Sequence, residues 1–212
     1  EWALFVGHVP LMVVLIWPIV IDSGARILPQ LAPARAAFFG GLLVFSDAML
    51  IEPMAVSANL WSWHHGSLVF FGVPLSGVLG WMFFATGAFY FRQTRRITHL
   101  LLFGPLFTHA MLLTVWWTCL RWVSLPPINF EMTVLVWLTS ILIFVKMLYS
   151  GAWEKTNFEY QLMRVPAAML IYSLLGWARP DLLPSLFLYS LAFAPPYLLC
   201  TSMGRNSRKE VV

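Results

Sequence analysis

The sequence predicts an all-α, polytopic transmembrane helix bundle, and three observations predict it. Of 212 residues, 60% are hydrophobic and only 10% are charged, with a mean hydropathy of +0.78. A soluble domain is about 45–50% apolar and about 25% charged. Second, 13 basic and 9 acidic side chains cannot cover a water-facing surface that must also accommodate 11 tryptophans. Third, apolar runs of membrane-spanning length, roughly 20 residues each, follow one another with charged or Pro/Gly punctuation between them. Six or seven such helices use about 120–140 residues, so residues 1–212 form a single integral membrane domain.

The spans follow in order. The first runs from Trp2 to Ile21 and is closed by Asp22 and the loop to Arg35. The second, Ala36–Leu60, contains Asp47, Glu52 and Pro53, and a short Trp61–Gly66 connection leads on to the third, Leu68–Phe91. Arg92, Arg95 and Arg96 end that span. The fourth covers His99–Leu120, and the fifth Phe130–Ser150 after a loop with Arg121, Pro126 and Pro127. Beyond the polar loop of Glu154, Lys155 and Glu159 come two weaker segments, Val165–Trp177 and Leu183–Cys200. They complete seven spans or form a re-entrant hairpin, an option raised by Pro184, Pro195 and Pro196. With seven spans, Arg26, Arg35, Arg92, Arg95, Arg96, Lys155, Arg164, Arg205, Arg208 and Lys209 share one side, and only Arg121 and Arg179 the other. The positive-inside rule then places the N-terminus outside and the 201–212 tail in the cytoplasm of a cell-membrane protein. Trp61, Trp63, Trp116, Trp117 and Trp122 fall near the outer boundary as an aromatic belt.

Several classes are excluded. The net charge of +4 is accounted for by membrane-flanking loops, so nucleic acid is not an expected partner. No Gly-rich phosphate loop is present, and no signal peptide is visible at the Glu1 end. Cys119 and Cys200 are too few for a disulfide framework or zinc site, and the topology puts them at opposite membrane faces. His8, His64, His65, His99 and His109 form no HxxxH or HxxHH boxes of the desaturase kind. His8 and His109 as haem ligands are a weak signal, and the last span has no lysine for a retinal Schiff base. No metal and no cofactor are expected. A transporter ranks last, because no internal repeat or paired broken helices are evident.

The strongest chemical signal is in the second span. Asp47 falls near mid-bilayer, and Glu52 about 7.5 Å further out. An acidic side chain at that depth costs about 2.5–3.5 kcal/mol on the insertion scale, which makes both carboxyls functional candidates. On an ideal helix they lie about 140° apart. Pro53, which removes the hydrogen bond to Met49, favours a kink that could turn both towards one cavity. The alternative is a structural network with Ser46, Ser57, Asn59, His8 or His109. In the third span, Gly72, Gly77 and Gly80 suit close helix packing and Pro74 a bent start. Trp81, deep for a belt residue, lines a pocket or fills a core.

The run Asp47-x4-Glu52-Pro53-x7-Trp61-x-Trp63, continued by Phe71-Gly72-Val73-Pro74-Leu75-Ser76 and Leu79-Gly80-Trp81, resembles a known signature. The pattern D…EP…W.W…GVPLSNFLGW marks the carotenoid biosynthesis membrane-protein family that includes the carotenoid end-group hydratases of the γ-carotene and bisanhydrobacterioruberin type. The resemblance spans residues 47–81, about a sixth of the chain. Here Gly77 replaces the Asn that follows the Ser of GVPLS, and the motif stands earlier in the chain than in the family.

What the resemblance implies is a cofactor-free lyase that adds water to a terminal double bond of an acyclic carotenoid. One carboxyl, assigned to Asp47, protonates the alkene. The other, Glu52, acts as base and water ligand, and the opposite assignment is nearly as good. Trp61, Trp63 and Trp81 would stabilise the cation by cation–π attraction. Gly72, Pro74 and Gly80 complete the substrate-binding set, and Pro53 supplies the kink. The expected partners are a carotenoid or other long polyene, membrane lipids and further membrane proteins. A second hypothesis is a non-catalytic carotenoid- or pigment-binding accessory subunit of a membrane complex.

Overall fold

The structure is a computed structural model that describes residues 4–6, 9–27, 32–63, 67–94, 97–150 and 164–193. Among these, 79% are helical, in seven α-helices. A two-stranded antiparallel pair, β1 (Phe5–Val6) and β2 (Val9–Pro10), leads into α1 (Leu11–Ile27). Then come α2 (Pro33–Ser57), a second pair β3 (Val69–Phe70) and β4 (Val73–Pro74), and α3 (Leu75–Gln93). α4 (Ile97–Thr118) ends in a 3₁₀ turn, Leu120–Trp122. α5 (Asn129–Ser150), α6 (Arg164–Ala178) and α7 (Leu183–Leu191) complete the fold.

Two segments, Pro33–Ser57 and Thr98–Trp122, are long and apolar enough to cross a membrane. The helix α6 rises about 22 Å and α7 about 13 Å. They form a short helical hairpin, in which Leu175 and Leu186 are fully buried and the turn is held by Arg179 on Asp181 at 2.7 Å. The guanidinium is 43% and the carboxylate 58% exposed. His8, His64, His65, Arg95, Arg96, the Glu154–Glu159 loop, Cys200 and the 201–212 tail lie outside the described residues.

The spans expected from hydropathy match α4, α5 and α6 to within a residue or two, and differ elsewhere for physical reasons. The first helix starts nine residues later than Trp2, because the pairing of β1 with β2 occupies its beginning. It also continues through Asp22 instead of closing there, because Arg92 on α3 meets that carboxylate at 2.9 Å. The second helix starts earlier, with Pro33 in its first turn, where a missing N–H costs nothing.

The largest correction concerns the third span, which is helical only from Leu75. Residues 69–74 form a tight hairpin with Val69 opposite Pro74 and Phe70 opposite Val73. Its two turn residues, Phe71 and Gly72, have φ of 46° and 78°. Positive φ at both positions is the type I′ geometry, whose twist matches that of the strands it joins. Gly72 adopts it without strain. Phe71 is held there by its N–H on Asn129 Oδ1 at 2.6 Å. Ile128 N–H on Val69 O, at 2.9 Å, ties the hairpin to the start of α5.

The core is built on α2 against α3, with α4 on the far side of α3 and α1, α6 and α7 around α2. A methyl at Gly40 would strike the Phe89 ring, and one at Gly41 the Thr86 hydroxyl. These two absent side chains let the helices approach at one end of the pair, as small residues do in membrane bundles.

Candidate functional site

At the opposite end of the same helix pair the chain folds back on itself. The last helical residue of α2 is Ser57, and Asn59 adopts φ 59°. Asn59 N–H bonds to Val56 O and Leu60 N–H to Ala55 O, each at 3.0 Å. This is a Schellman closure with Asn in the left-handed position usually taken by glycine. Leu60 packs against the buried cluster that contains Met54, the kind of apolar contact that frequently accompanies the motif. The reversal carries Trp61 and Trp63 back alongside the final turns of α2, while α3 brings Trp81 in from its second turn.

All three indoles converge on one carboxylate. Glu52 Oε2 accepts the N–H of Trp61 at 2.9 Å and of Trp63 at 3.2 Å. Oε1 accepts the N–H of Trp81 at 2.6 Å. Glu52 is 4% exposed. An ionised carboxylate has about four acceptor positions, and an indole N–H only donates. Three positions are filled, and the fourth, on Oε1, can receive a proton or a water. No Lys or Arg reaches the carboxylate among the described residues, so indole dipoles do the work of a counter-ion.

The structure thus joins Glu52, Trp61, Trp63 and Trp81 in one site. Trp61 and Trp63 both turn their N–H edges onto Glu52, while the Trp63 ring stays 37% exposed. Trp116, Trp117 and Trp122 stay exposed and pack around the Arg121 guanidinium, at 5.4, 3.8 and 4.4 Å. None of Ser46, Ser57, Asn59 or His109 bonds to Glu52, so the network considered for it is built from tryptophans instead. Asp47 lies five residues inward on α2, half-buried, about 7.5 Å along the axis.

The remaining signature residues surround this centre. Gly72 forms the turn, and buried Pro74 immediately precedes α3. Gly80 faces Leu112 of α4, with room for a methyl at 3.5 Å. Gly77 has a specific neighbour: a Cβ there would lie 2.8 Å from Trp63 Cζ2. The Trp63 ring thus occupies the space that a side chain at position 77 would need.

Pro53 lies in the site and interrupts the helical hydrogen bonding as expected. The carbonyl it deprives, Met49 O, accepts the Tyr189 hydroxyl from α7 at 2.7 Å. Sequence reasoning identified the missing bond but not Tyr189, because a hydroxyl 140 residues away carries no local signal. His99 is stacked between Phe91 and Phe103, and His109 is exposed on α4. Among the described residues no three His, Cys, Asp or Glu side chains form a cluster able to hold a metal ion.

A separate apolar groove of about 560 Å³ lies between α2, α3 and α4, lined by Ala37, Gly87, Tyr90, Phe103, Phe107 and Ala110. It is near the opposite end of α2 from Glu52. The chain matches no protein-family model, no curated protein and no solved structure.

Proposed function

We propose that the chain is a multi-pass membrane enzyme of carotenoid end-group chemistry, which hydrates a terminal double bond of an acyclic polyene inside the bilayer. The observation that carries this reading is the meeting of Trp61, Trp63 and Trp81 on Glu52, from 9, 11 and 29 positions along the chain. These are the residues on which the resemblance rests, and their spacing makes one site only when the turns between them are in place. The membrane setting is supported by large apolar side chains turned outward on α4 and α5, such as Leu101 at 75% and Phe130 at 76% exposure. Apolar surface of that extent needs lipid or a partner. Seven spans with the N-terminus outside fit the distribution of basic residues.

In the proposed reaction a proton passes from Asp47 to the terminal alkene, leaving a tertiary carbocation. Water adds to the cation and loses a proton to Glu52, so one water is gained and no redox partner is required. A shell made only of indole N–H donors leaves Glu52 as the acceptor at the centre of the site, which suits it to the base role. The test is expression in a host that makes acyclic carotenoids, with products analysed by liquid chromatography and mass spectrometry. A product heavier by one water, lost in Glu52→Gln, is expected. A fully active Glu52→Gln overturns the assignment.

The groove on α2, α3 and α4 favours a second reading, an accessory subunit that holds a polyene without altering it. Unchanged carotenoid co-purifying with folded protein, with no hydrated product in the host, would make that reading the better one.

A further inference from the structure

We propose that Tyr189 is a positioning residue for the Glu52 carboxylate. This deepens the functional reading above, since it rests on Glu52 being the working group.

The argument starts at Pro53. In a helix, the N–H of residue 53 would bond to the carbonyl of residue 49, and proline has no N–H to give. The freed Met49 carbonyl belongs to a residue buried in the core, out of reach of water. A buried carbonyl without a donor is strongly disfavoured. The Tyr189 hydroxyl takes the place of the missing N–H at 2.7 Å. The bond therefore closes the turn of α2 that carries Glu52, the residue next to the proline.

The other end of the argument is the tyrosine ring. Tyr189 is fully buried, with Phe71 at 5.1 Å between ring centroids and Phe193 at 5.6 Å. Phe71 is the first of the two left-handed turn residues of the hairpin that sets the start of α3, and α3 carries Trp81. Trp81 packs against the cluster that contains Tyr189 and Met49. One side chain thus holds the broken turn beneath Glu52 and braces the hairpin that aims its shortest hydrogen-bond donor.

The test uses the full chain, labelled with ¹⁵N-tryptophan in lipid nanodiscs. Its indole N–H resonances are assigned by single Trp→Phe variants. Tyr189→Phe keeps the ring and deletes only the hydroxyl. The Trp61, Trp63 and Trp81 resonances should shift, those of Trp116, Trp117 and Trp122 should stay in place, and Glu52→Gln should move the same three signals. A general loosening of the fold would not select that set.

Adding Pro53→Ala to Tyr189→Phe restores an N–H to Met49 O and should return the three signals towards their wild-type positions. If Tyr189→Phe does not fold, the double variant decides alone: folded protein with wild-type indole signals supports the proposal. Unmoved signals in a folded Tyr189→Phe, or failure of Pro53→Ala to restore them, overturn it. The readout needs no product, so an inactive wild-type protein whose indoles respond would sink the hydratase reading and leave this role standing.

Discussion

A buried carboxylate survives in this chain because its acceptors are met. The insertion cost of an acidic side chain at the membrane centre is about 2.5–3.5 kcal/mol, and a hydrogen bond to a charged group contributes about 1.5–3 kcal/mol. The three indole bonds on Glu52 offset part of that cost. The arrangement constrains its surroundings, most directly at Gly77. An Asn introduced there would meet the Trp63 ring, whose Cζ2 lies 2.8 Å from the new Cβ. Gly77→Asn should therefore destabilise the protein by about 1–3 kcal/mol through overpacking. In combination with Trp63→Ala much of that penalty should vanish, since the two sites share one volume. Thermal unfolding of the four members of the cycle in detergent measures the coupling, and strictly additive changes would show that the ring does not occupy the space.

Turns determine which helix faces meet. Gly72 has φ 78°, and a Cβ there would approach Val56 Cγ1 to 2.9 Å. Gly72→Ala combines that contact with a left-handed cost of about 1–2 kcal/mol. Its melting temperature should fall accordingly, with Ala at Gly80, where a methyl fits, as a milder comparison. At the turn between α6 and α7, hydrogen bonding from Arg179 holds Asp181 below its ordinary value of 3.8, and Asp181 in turn raises Arg179. A depressed carboxylate contributes its stabilisation above the unfolded pKa and loses it as pH falls through the folded one. A ¹³C-carboxyl titration should place the Asp181 midpoint below 3.8, and Arg179→Ala should move it back up. Both partners are largely exposed, so the melting temperature at neutral pH should barely respond.

For the molecule as a whole, the testable statement is orientation. Cys119 is exposed at the end of α4, beside the Arg121 cluster. With the N-terminus outside, a membrane-impermeant maleimide should label Cys119 in intact cells carrying the Cys200→Ser background. A cysteine placed at Asn206 should react only after the membrane is opened. The reverse pattern would invert the topology and put Glu52 near the cytoplasmic face. The legible part of the fold was the part that repeats locally. α4, α5 and α6 could be read from hydropathy because their lengths and apolar runs report directly on the helix. The beginning of α3 could not, because Phe70, Phe71, Val73 and Leu75 are as apolar as a span. Only the paired positive φ values at Phe71 and Gly72, stabilised by Asn129 from another segment, make them a hairpin.

The sequence by itself determined the helical, lipid-compatible character of the chain, the placing of acidic residues within α2 and the missing hydrogen bond at Pro53. Composition, apolar length and the missing proline N–H act within a few residues of where they are written. The tertiary structure alone decided that the indole N–H groups of Trp61, Trp63 and Trp81 meet on Glu52. It also decided that Tyr189 completes the broken turn, and that Gly77 gives its space to an indole. Hydrogen-bond partners for a buried carboxylate or carbonyl are selected by where reversals at Asn59 and Phe71 direct the chain. Those directions depend on packing between segments up to 140 residues apart.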